Sequence, residues 1–131
     1  MEKIINISSK IENLREVERI IDEISAEYDL GTEVYGNILI ASLEAVNNAI
    51  SHGNKLDPEK DVEINIKIQK GLLTIITKDE GTGFDYNNVP DPTAPENIES
   101  VNGRGIFLMK QLSDGLTFHE EGRVSEMIFN I

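Results

Sequence analysis

The chain has 131 residues, 39% of them hydrophobic, and a formal net charge of −12 from 24 acids against 12 lysines and arginines. That length predicts one domain, residues 1–131, with a single core, and that acidity argues against direct contact with nucleic-acid phosphates while favouring a basic protein surface. The absence of cysteine excludes disulfides and thiolate metal sites, and with neither a secretory signal in MEKIINISSK nor an apolar run near the roughly 20 residues that span a bilayer, a cytoplasmic, non-membrane protein is expected.

Ile4, Ile5 and Ile7 suggest a short first strand, and Ser8 or Ser9 is placed to cap a following helix. Ile11, Leu14, Val17, Ile20, Ile21 and Ile24 recur at three- and four-residue spacing, the stripe of an amphipathic helix. Gly31 breaks it, and Thr32 is the cap candidate for a second helix from about Glu33 to His52. On that helix Val34, Ile38, Ala41, Ala45, Asn48 and His52 fall close to one face, and Gly53 ends it. VEINIKI alternates, with Val62, Ile64, Ile66 and Ile68 inward; Lys70-Gly71 makes a turn, and LLTIITKD returns as a strand. Between Glu80 and Asn102 regular structure lapses around Gly81, Gly83, Pro90, Pro92 and Pro95, a span long enough for a functional loop or lid. GIFLMKQLSD resumes as a helix with its N-terminus near Gly105, and two short strands, 116–119 and 124–131, close the chain as a hairpin around EEGR. The order β-α-α-β-β-loop-α-β-β predicts an α+β fold: a two-layer sandwich with a mixed, mostly antiparallel sheet covered on one face by helices.

Three stretches could carry chemistry. In SLEAVNNAISHGN, Glu44 and Asn48 are four apart and so neighbours on one helix face. A carboxylate there can take a proton or orient a hydroxyl, and an amide oxygen suits Mg2+; the blander alternative is a solvated acid and an Asn bonded to a neighbouring strand. In DEGTGF, Asp79 at a strand end can accept a hydrogen bond from an exocyclic amine, while Gly81 and Gly83 permit positive φ and close backbone approach; a plain turn is the alternative. In NGRGIFLMKQLSD, a glycine-flanked entry to a helix offers N–H groups and the positive dipole end to a phosphate, with Arg104 adding charge; an ordinary helix entry is the alternative, and no Walker A ending is present. His52 is expected to serve the helix end and His119 to be solvated without a partner.

In this order, the three stretches resemble the boxes of the GHKL superfamily of ATP-binding domains, which includes gyrase, MutL and histidine kinases: EAVNNAISHGN the N box, DEGTGF the first glycine box and GRGIFLMKQLSD the second. The likeness is closest to bacterial anti-sigma-factor serine kinases of the partner-switching type, through the short domain, DPTAPENI in the lid and Phe-Leu-Met after the second box. The resemblance implies the two-layer ATP-binding fold, with a lid at about residues 84–103. It implies ATP and Mg2+ as cofactors, with Asn48 on the metal, Glu44 as the catalytic base and Asp79 reading adenine. Gly81, Gly83, Gly103, Arg104 and Gly105 would line the nucleotide. It further implies a sigma factor and a STAS-type anti-anti-sigma protein as partners, and a homodimer. A non-catalytic ATP-binding regulatory module is the alternative.

Overall fold

The period of two in VEINIKI sets the inner face of a five-stranded sheet. The computed structural model describes residues 1–83 and 101–131, with the side chains of Val101 and Asn102 excepted. Its strands are β1 (Glu2–Ser8), β2 (Asp61–Gln69), β3 (Leu72–Lys78), β4 (Gly115–His119) and β5 (Val124–Asn130), ordered β1-β2-β3-β5-β4. Val62, Ile64, Ile66 and Ile68 of β2 are buried, and Leu73, Ile75 and Thr77 of β3 continue the inward row. Every pairing among the described strands is antiparallel, so the parallel component expected from the sequence is not found there. The local reason is that β2–β3 and β4–β5 are hairpins. In the first, Lys70 at φ 53° and Gly71 at φ 77° give the doubly left-handed two-residue turn whose twist matches the strands.

Helices α1 (Leu14–Tyr28), α2 (Thr32–Asn48) and α3 (Val101–Leu112) form the other layer. Val17, Ile20, Ile21 and Ile24 bury the stripe of α1; Ile38, Ala41, Ala45 and Val46 do so for α2, and Ile106 and Met109 for α3. Each fully buried isoleucine contributes roughly 1.5–3 kcal/mol. The interface between the layers therefore carries much of the stability. No described helix is long and apolar enough to cross a membrane.

The helix entries depart from expectation. Neither Ser8 nor Ser9 caps α1: a 3₁₀ turn, Ile11–Asn13, precedes it, and the flanking Lys10 and Asn13 make no side-chain cap bond. Asn13 instead donates its Nδ2 to the carbonyl and hydroxyl of Ser8, and Ser9 is buried against Lys60. That turn rotates Ile11 off the core stripe, leaving it exposed. Gly31, in extended conformation, precedes α2, and Thr32 is its first residue rather than its cap. Helix α3 is already formed at Val101, four residues before Gly105. The expected lid, 84–103, lies outside the described residues up to 100, and its last residues already belong to α3. His119 has a partner after all: its Nε2 is 3.0 Å from Oε1 of Glu126 on the neighbouring strand, with both side chains exposed.

Candidate functional site

Asn48 is the last residue of α2, and Glu44 sits one turn earlier, half-buried. The Oδ1 of Asn48 is buried with no hydrogen-bond partner. Asn47 goes elsewhere, accepting from Ser51 Oγ at 3.2 Å along its own helix. After Asn48 the chain widens into a π turn, Ala49–Gly53, closed by Asn54 N–H donating to the Ala49 carbonyl at 2.8 Å. The wider turn breaks the 3.6 period, so His52 leaves the row of Ala45 and Asn48 and is exposed, contrary to the single face expected. It also brings the backbone of Gly53 against the Asp79 carboxylate, where a β-carbon on Gly53 would overlap both carboxylate oxygens.

Asp79 follows β3 and is 8% exposed. Its N–H donates to the Arg123 carbonyl at 3.0 Å, and its Oδ1 accepts the Gly81 N–H at 2.8 Å. Burial pushes the Asp79 carboxyl above its ordinary value of 3.8, opposed by the Gly81 N–H and by the positive charges of Arg123 and Lys60. Gly81 and Gly83 are needed for chain crossings. A β-carbon on Gly81 would collide with the Gly53 carbonyl, and Gly83, at φ 85°, passes against the Glu121 backbone in the β4–β5 turn. These glycines lock the loop after β3 against α2 and the hairpin.

One cavity joins the first two stretches. Asn48 and Asp79 line it together with Thr77, Phe118, Arg123 and Ser125. Thr77 is 2% exposed, and its Oγ1, like Asn48 Oδ1, lacks a partner. A buried polar atom left unsatisfied costs about 1–3 kcal/mol, so two on residues lining one cleft of about 10 Å³ mark a place where a polar partner, at its smallest a single water, would be accommodated. The Asn48 amide oxygen is a hard donor that fits a Mg2+ ion. Among the described residues no group of three or more His, Asp or Glu side chains could hold a metal by itself.

The third stretch meets the first rather than the cavity. Gly103 and Gly105 are buried and Arg104 is exposed, all within α3 and not ahead of it. The Glu44 carboxylate lies 3.0 Å from where a Gly105 β-carbon would stand, so the missing side chain lets α3 close on Glu44. Glu44 is not among the residues lining the cavity; the turn of helix between it and Asn48 connects the two places.

Gly53, Thr77, Phe118, Arg123 and Ser125 escaped the sequence reading as site residues. Thr77 carried a signal, a hydroxyl ending the inward apolar row Leu73 and Ile75. Phe118, Arg123 and Ser125 carried none, because they reach the cavity only through the pairing of β5 with β3 and β4.

The chain matches the family described as "Histidine kinase-like ATPase domain" over residues 7–129. It is similar to "Serine-protein kinase RsbW" from two strains of Staphylococcus aureus, 33% identical over 96 residues. A third strain's protein of that name is 32% identical over 93 residues. In each case the match covers 66% of this chain and 58% of the relative, so the chain spans less than two thirds of the length of these relatives.

Proposed function

Because the chain belongs to the histidine kinase-like ATPase family, we propose that it is an ATP- and Mg2+-dependent protein-serine kinase that also acts as an anti-sigma factor. In this reading it phosphorylates a STAS-type anti-anti-sigma partner and sequesters a sigma factor, as a cytoplasmic homodimer. The observation that supports the reading is that Asn48, whose amide oxygen is buried and unpartnered, and Asp79 line one cavity. The printed name of the relatives, serine-protein kinase, supports transfer to a serine.

Asp79 accepts a hydrogen bond from the exocyclic amine of adenine; held between Gly53 and the Gly81 N–H, it has little freedom to turn away. Asn48 would hold Mg2+, which when bound neutralises phosphate charge. Gly81, Gly83, Gly103, Arg104 and Gly105 flank the nucleotide, with Arg104 the positive charge on the phosphate side. Glu44 takes the proton from the attacking serine hydroxyl. The serine oxygen forms its bond to the γ-phosphorus as the bond from that phosphorus to the β,γ-bridging oxygen breaks, and ADP leaves. Positioning and charge do most of the work in such a transfer, so a sparse site suffices. The charge of −12 favours a basic face on the sigma factor.

One observation favours a second reading, a nucleotide-binding module without transfer: Glu44 lies against α3, outside the residues lining the cavity. A single experiment separates the two. The protein is incubated with ATP labelled at the γ-phosphate and with STAS-type proteins co-purified from the native cell. Label on a partner serine supports the kinase; nucleotide-dependent partner binding without label supports the module; no nucleotide binding at all defeats both.

A further inference from the structure

The side chain of Asn54, 1% exposed, is not among the residues lining the cavity and makes no contact that the proposed chemistry requires. Its Nδ2 donates to Ser9 Oγ at 2.8 Å and to the Asp61 carbonyl at 3.0 Å, and its Oδ1 accepts the Glu80 N–H at 2.7 Å. The Asp61 carbonyl can only accept and the Glu80 N–H can only donate, so the amide has one possible orientation. Ser9 Oγ in turn donates to the Lys60 carbonyl at 2.7 Å. The Asn54–Ser9 bond is buried and the others are partly so, and the network fastens the end of β1, the start of β2 and the loop after β3 to one side chain.

Its consequence falls on Asp79. The peptide before Asp79 is held by its N–H on the Arg123 carbonyl, and the peptide after it by the Glu80 N–H on Asn54. With both flanking peptides held, the backbone at Asp79 and the position of its β-carbon are restrained, and the Gly81 N–H, one peptide beyond Glu80, sets the turn of the carboxylate. The Asn54 N–H is itself bonded to Ala49 at the end of α2. Asn54 therefore sets the position of Asp79 relative to Asn48, the base side of the cavity relative to its metal side. We propose that Asn54 is a positioning residue for nucleotide-base selection, acting through the Glu80 peptide on the orientation of Asp79. This rests on the assignment of Asp79 to the adenine amine.

The test compares the affinities of ATP and of purine riboside triphosphate, which lacks the 6-amino group, measured by calorimetry on the full chain at a temperature where each variant is folded. A hydrogen bond from that amine to a carboxylate gives wild type a preference for ATP of about tenfold or more. Asn54→Ala is expected to reduce the preference to about threefold or less while changing the affinity for the purine analogue little. Ser9→Ala is the control: it removes two bonds of the same network, those to Asn54 and to the Lys60 carbonyl, but leaves the one to Glu80, so it lowers the melting temperature and keeps the preference. Should Asn54→Ala not fold, Asn54→Ser takes its place in the same comparison, because its shorter side chain cannot span to Glu80. A preference preserved in the Asn54 variant, or lost equally in Ser9→Ala, overturns the positioning role. A wild type that binds both nucleotides equally removes the Asp79 assignment itself and this proposal with it.

Discussion

Replacing Asp79 by Asn separates what the carboxylate does for the fold from what it does for the ligand. In the ligand-free protein the substitution is nearly isosteric, and the new amide oxygen can keep the 2.8 Å bond from the Gly81 N–H. It also removes a buried charge whose desolvation dominates its environment. Ligand-free stability is therefore expected to hold within about 1 kcal/mol or to rise slightly. The nucleotide responds in the opposite sense. A hydrogen bond to a charged acceptor is worth about 1.5–3 kcal/mol, which corresponds to a loss of about 10- to 150-fold in affinity. Because the amide can present a donor to the adenine amine, the upper half of that range is expected. A 6-oxopurine nucleotide, whose oxygen accepts where adenine donates, should lose less than ATP. Calorimetric titration with ATP and with ITP, alongside denaturant unfolding, reads both sides. Unchanged ATP affinity refutes Asp79 as the base reader. Affinity that falls only in step with stability refutes the separation of the two roles.

Glu44→Gln should keep ATP affinity within about threefold and lower serine phosphorylation by about 10²-fold or more, as loss of a general base does; unchanged transfer in a radiolabel assay would remove Glu44 from that role. Gly81→Ala places a β-carbon on the Gly53 carbonyl, backbone against backbone, and should cost about 1–3 kcal/mol. Gly36→Ala, inside α2 with nothing near its added methyl, should gain about 0.5–1 kcal/mol, so opposite shifts of melting temperature are the expected pair. The pH dependence follows from the raised pKa of Asp79. Between its ordinary and raised values the native state holds more protons than the unfolded chain. This group's contribution to stability is therefore complete below the ordinary value and declines as pH rises through the raised one. Asp79→Asn should flatten that part of the ligand-free stability profile, and ATP affinity in wild type should weaken on acidification at a pH already above 3.8.

Local pattern alone settled a good deal. The period of two in VEINIKI and LLTIITKD placed a hairpin and its inner face, because strand side chains alternate whatever surrounds them. The three- and four-residue spacing of Val17 to Ile24 likewise placed α1 and its buried stripe. Glu44 and Asn48 could be paired on one face, since i and i+4 lie together on any α-helix. Prediction failed where the backbone answers to distant partners. His52 left its row because the chain widened into a π turn against Asp79, 27 positions further on, and no residue between Asn48 and Gly53 announces that contact. Ser9 resembled a helix cap by its neighbours but is taken up by Lys60 and Asn54. Phe118, Arg123 and Ser125 enter the cavity only because β5 pairs with β3 on one side and β4 on the other. The amino-acid order thus determined the elements, their apolar faces and the chemical kind of each candidate group. The assembled fold decided which of those groups share a space, because sharing depends on the close approach of Gly53 to the Asp79 carboxylate, of Gly81 to the Gly53 carbonyl and of Gly105 to the Glu44 carboxylate, where the absence of a side chain matters only once a second segment arrives.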